Sequence, residues 1–158
     1  MSEGSSGGRD SRSGENPGPA PRPGSGGSGQ EDIYQLYRRG LDLLGRGSAA
    51  AAAQLLERAA AAEPNSRSIL EALGRAQFDT RRYEAAAGSF RRIVDASPSD
   101  DYAQFGLGLA LARTGDHGAA AEHLALAAAM RPDLRHYTEA LRSVRATLRA
   151  RSAADSQE

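Results

Sequence analysis

Side chains able to carry covalent or metal chemistry are few and scattered in this 158-residue sequence. There is no cysteine, which removes disulfides, thiolate metal sites and thiol nucleophiles. His117, His123 and His136 share no ligand spacing and no paired acid completes a site, so no metal is expected. Glu122, beside His123, would point a different way around a helix and makes no dyad with it. No serine stands at a nucleophile elbow and no carboxylate pair is set for acid–base work, so neither catalysis nor a cofactor is expected. What recurs instead is adhesive. Tyr34, Tyr37 and Leu41 form one group, Glu71, Arg75 and Phe78 a second, and Tyr102, Phe105, Leu109 and Arg113 a third. Within each group the steps are three or four residues, which places its members on one helix face. The chain has eight aromatic residues and five of them fall in these groups. Rings rimmed by Arg and Glu are the composition of a peptide-binding patch.

The elements that must position these groups repeat. Pro64, Pro98 and Pro132 are 34 residues apart, and the same shift relates Gly40, Gly74 and Gly108. It also relates Ala52, Ala86 and Ala120, and then Leu56, Phe90 and Leu124. A fixed period of this length defines a short helical solenoid, in which each unit buries its apolar face only by lying against its neighbours.

Taken in order, residues 1–30 are mostly Gly, Ser and Pro, with no Leu, Ile, Val or aromatic residue to bury, and are expected to be a disordered tail. Pro17, Pro19, Pro21 and Pro23 bias a short stretch of it towards polyproline II. From Glu31 the pattern is helical, with Ile33, Leu36, Gly40, Leu43 and Leu44 as one buried stripe. Ser48 is placed to cap a second helix over 49–62, which is mostly Ala and buries little area. Further helices are expected over 67–80, 83–96, 101–114 and 117–130, with Ser99 or Asp100 capping the third pair. A last helix, 134–151, carries Leu134, Tyr137, Leu141, Val144 and Leu148 on one face and Arg135, Arg142, Arg145, Arg149 and Arg151 on the other. That is what the open end of a stack needs for solubility. Residues 152–158 read as a frayed, disordered end.

The units 33–66, 67–100 and 101–134 resemble the tetratricopeptide repeat family, whose 34-residue unit is a helix–turn–helix with small residues at helix crossings and Pro at the exit. The family's Leu-Gly pair stands as Leu73-Gly74 and Leu107-Gly108, while the first unit keeps only Gly40. Arg39, Gln77 and His117 depart from the pattern, standing where a Leu and two aromatics are usual. The resemblance implies an all-α fold over residues 31–151: a short right-handed α-solenoid of three repeats with a capping helix over 134–151. It also implies a concave groove lined by the first helix of each repeat. The three adhesive groups then line that groove, and the partner is a protein or peptide. Members that hold a C-terminal carboxylate use Lys, Asn and Arg, but the matching positions here are Tyr37, Leu41, Ala72, Tyr102 and Gly106. None offers a charged donor to a carboxylate, so a more apolar ligand is expected.

Two alternatives fit the same pattern: a self-associating scaffold, in which a homo-oligomer fills the groove, and a chaperone resembling the three-repeat secretion chaperones of bacteria. The formal net charge is zero, so nothing draws the chain as a whole to nucleic acid or a membrane surface. The Arg face of the last helix lacks stacking aromatics beyond Tyr137 and is interrupted by Glu139, so no nucleic-acid partner is expected. Gly106-x-Gly108 lies within a helix with no strand before it and makes no phosphate loop. No apolar run approaches a membrane span and the N-terminus has no secretory apolar segment, from which a cytoplasmic location is expected.

Overall fold

The computed structural model describes residues 28–157, over which the chain forms seven α-helices and no strand. They are α1 (Ser28–Gly45), α2 (Ala49–Ala62), α3 (Arg67–Asp79), α4 (Tyr83–Ala96), α5 (Asp101–Thr114), α6 (His117–Met130) and α7 (Arg135–Asp155). Each helix packs on the next, and α1, α3, α5 and α7 also touch in sequence along one side. This is the expected stack of three hairpins closed by a terminal helix. The tail expected over 1–30 lies outside the described residues except for its last three, which are helical because α1 opens at Ser28. The end expected to fray from Ser152 is helical as far as Asp155. No helix of the described chain is long and apolar enough to cross a membrane.

The same turn closes the first helix of each repeat. Ser48, Arg82 and Asp116 donate their N–H to Leu43, Gln77 and Leu111, while Gly47, Arg81 and Gly115 donate to Leu44, Phe78 and Ala112. This paired pattern is a Schellman motif, which needs a left-handed residue just past the helix. Gly47 and Gly115 supply it at φ 81° and 97°, but the middle repeat uses Arg81 at φ 65°. Left-handed backbone costs an L-residue about 1–2 kcal/mol, part of which glycine loses again to chain entropy. Arg81→Gly is therefore expected to stabilise the fold by about 0.5–1 kcal/mol, read as a higher thermal midpoint. An unchanged or lower midpoint would refute the strain.

Entry to the helices is capped by side chains at equivalent points. Ser66 accepts from the Ile69 N–H, Asp100 from Ala103 and Asp116 from Ala119. Ser48 occupies the cap position of α2, but its hydroxyl accepts no hydrogen bond there, contrary to expectation. Asp100 also ties the start of α3 to the start of α5, since Arg67 donates to its two oxygens at 2.8 and 3.1 Å. That guanidinium holds the Asp100 carboxyl below the usual carboxylate range.

Glycine sets the closeness of the helices. A Cβ on Gly40 or Gly108 would stand 2.7 Å from Leu56 or Leu124, so α1 lies directly on α2 and α5 on α6. Phe90 is enclosed on two sides, 2.8 Å from where a Cβ on Gly74 would be and 2.7 Å from one on Gly106. It is 2 % exposed and joins the second repeat to the third. Gln77, standing where the family favours an aromatic, is buried, and its Oε1 accepts from the Ser89 hydroxyl at 2.7 Å. The stripe expected on α1 is buried only in part. Gly40 is buried, but Ile33, Leu36, Leu43 and Leu44 are half-exposed, because among the described residues α1 packs only on α2 and α3.

Candidate binding groove

The central cleft lies between α3 and α5. Its walls are Arg75, Phe78 and Asp79 from α3, and Tyr102, Phe105, Gly106 and Leu109 from α5; Phe90 of α4 reaches the same space. The cleft has a volume of about 280 Å³. Five of the residues expected in the groove, Arg75, Phe78, Tyr102, Phe105 and Leu109, therefore meet in one place. Phe78, Tyr102, Phe105 and Leu109 are half-buried, so each keeps part of its apolar surface open to a partner. Burial pushes the Tyr102 phenol above its ordinary pKa, in keeping with its mostly apolar surroundings.

The rings are braced from behind. Phe105 stacks on Tyr137 of α7 at 4.5 Å and meets His136 edge-on at 5.2 Å. Tyr137 is buried, and its hydroxyl donates to Asp101 at 2.8 Å. Burial and that carboxylate both raise its pKa. The terminal helix thus fixes one wall of the cleft as well as closing the core. Phe78 lies edge-on to Tyr83 at 5.1 Å.

The remaining expected residues are placed differently. Tyr34 and Tyr37 line a separate cleft of about 260 Å³ with Ile33, Glu63, Ser66, Ser68 and Ile69, where α1 meets the start of α3. Leu41 is packed against the core of the first repeat. Glu71 is held by Arg67 at 3.2 Å. Arg113 lies over the Phe78 and Tyr83 rings at 5.2 and 5.3 Å and donates to the Tyr83 hydroxyl at 2.7 Å. It is a brace for the cleft wall, not a free charge at its mouth.

Sequence reasoning missed Asp79 and Phe90 as cleft residues, while Gly106 stood only as a position matching the family's carboxylate holders. Asp79 was legible as the residue one turn beyond Arg75 on the same face. Phe90 was not, because it belongs to the second helix of its repeat and reaches the cleft only where Gly106 has no side chain. Among the described residues no three His, Cys, Asp or Glu come together as a metal site. His123 is spent on structure, with Nδ1 2.7 Å from Gln104 Oε1 and its pKa lowered chiefly by burial.

A tetratricopeptide repeat model matches residues 37–101 and 98–134, and the chain belongs to that family. Among curated proteins no sequence matches. Solved structures match in fold. The tetratricopeptide domain of Sgt2 from Aspergillus fumigatus superposes with a TM-score of 0.71 at 18% identity, covering 85% of this chain and 85% of that one. The first such domain of Spaghetti (RPAP3), bound to the HSP90 peptide SRMEEVD, gives 0.69 at 17% identity over 75% and 94% of the two chains. The Yersinia enterocolitica type III secretion chaperone SycD, in complex with a peptide of the translocator YopD, gives 0.65 at 16% identity over 73% and 93%.

Proposed function

We propose that this chain is a non-enzymatic protein-interaction module that holds an apolar segment of a protein partner in the cleft between α3 and α5. One observation carries the reading: Phe78, Tyr102, Phe105 and Leu109, from two different repeats, converge half-buried around one cleft. Scarce rings spent on an open surface rather than in a core of Leu and Ala are a binding investment. The fold supports the reading, since two structures that share it, those of Spaghetti and SycD, hold peptides. The anchor differs from a carboxylate clamp. Ala72 and Gly106 are buried and have no donor side chain, so affinity comes from an apolar group set among the rings.

The test is capture of partners from the source cell by the full chain, compared with Tyr102→Ala/Phe105→Ala and, separately, Phe78→Ala. The partners held by the native chain are expected to be lost from both variants while helical circular dichroism is kept. Because Phe105 leans on Tyr137, Phe78→Ala gives a reading free of the α7 contact. Undiminished capture by both variants would overturn the proposal.

A further inference from the structure

We infer that the segment held in the central cleft is ampholytic: an apolar anchor flanked by one acidic and one basic residue, the acid against Arg75 and the base against Asp79. The inference rests on the reading of that cleft as the binding site, and goes beyond it by stating the chemistry of the occupant.

The charges around the rings are not equivalent. Glu71 is held by Arg67, and Arg67 in turn by Asp100. Asp101 accepts the Tyr137 hydroxyl, and Arg113 is taken up by Tyr83 and the face of Phe78. Arg75 and Asp79 are exposed, line the cleft, and form no ion pair or side-chain hydrogen bond with a described residue. They do not satisfy each other either, although they are one turn apart. With the basic residue on the N-terminal side, they stand in the poorer orientation for a helical pair.

Arg75 and Asp79 thus stand one turn apart, about 6 Å along the axis of α3, beside an apolar cleft. Asp79 is also the last residue of α3, where the helix carbonyls add negative potential and favour a cation. A wholly acidic segment would meet Asp79 and a wholly basic one Arg75. The lip thus selects against both as well as for the mixed one.

The test pans a displayed library of random peptides on the full chain, then titrates one enriched peptide by fluorescence anisotropy. Enriched sequences are expected to carry an acid and a base on opposite sides of an apolar residue. Arg75→Glu and Asp79→Arg are each expected to weaken that peptide about two- to fivefold, the scale of an exposed ion pair. The double variant should recover affinity for the peptide with its acid and base exchanged. Enriched peptides that share an apolar anchor but no charge pattern, or affinities indifferent to both reversals, would overturn the inference and leave the cleft as a binding site. If nothing is enriched over an unrelated protein, the binding site itself falls and the inference with it.

Discussion

Phe90→Ala is expected to destabilise the chain by about 3–5 kcal/mol, the cost of truncating a buried aromatic in a core that cannot collapse around the gap. The site is rigid for a structural reason. The ring is held between the backbones of α3 and α5 at Gly74 and Gly106, which have no side chains to swing into the space. Whole domains of this size are stable by about 5–15 kcal/mol, so the loss takes a large share of the total. Urea unfolding followed by circular dichroism measures it through the midpoint. A loss under about 1 kcal/mol would mean that the third repeat does not hang on this ring.

The second large effect runs against helix propensity. Alanine is favoured over glycine inside a helix by about 1 kcal/mol, so Gly106→Ala would stabilise α5 if propensity ruled. Packing opposes it. The new Cβ would lie 2.7–2.8 Å from three atoms of the Phe90 ring. The ring has no room to retreat, because Gly74 is as close on its other side. Overpacking of this kind costs about 1–3 kcal/mol, and a net loss of up to about 2 kcal/mol is expected. Gly88 provides the control. It is exposed in α4 with nothing within 4 Å of its would-be Cβ, so Gly88→Ala should stabilise by up to about 1 kcal/mol. Adding Phe90→Leu to Gly106→Ala should cost less than the two changes summed, since the smaller side chain clears the new methyl. Equal behaviour of Gly106→Ala and Gly88→Ala would show that the close approach is not what holds the repeats in register.

The first prediction concerns a position that periodicity marks in advance, while Gly106 of the second lies outside the repeating register. Gly40, Gly74 and Gly108 share a register, as do Leu56, Phe90 and Leu124, because every repeat must bury the same stripe against the same neighbour. For that reason the boundaries of the inner helices, the all-α class and most of the core could be read from spacing, while the outer ends of α1 and α7 could not. The first helix shows where this stops. Its stripe has the right spacing, yet Ile33, Leu36, Leu43 and Leu44 stay half-exposed, since periodicity does not say that among the described residues α1 packs only on α2 and α3.

The sequence by itself thus determined the architecture and the faces on which scarce aromatics stand, because both follow from which residues share a side of one helix. The tertiary structure decided which of those residues meet. It separates Tyr34 and Tyr37 from the central cleft, covers one side of Phe105 with Tyr137, and occupies Arg113 with Tyr83. It also leaves Arg75 and Asp79 at the lip without an ion-pair partner among the described residues. Those outcomes depend on how one repeat sits on the next, across some thirty residues of chain. No single helix encodes that placement, since a side chain's partner from another repeat is set by the crossing of two rods and not by the spacing along either.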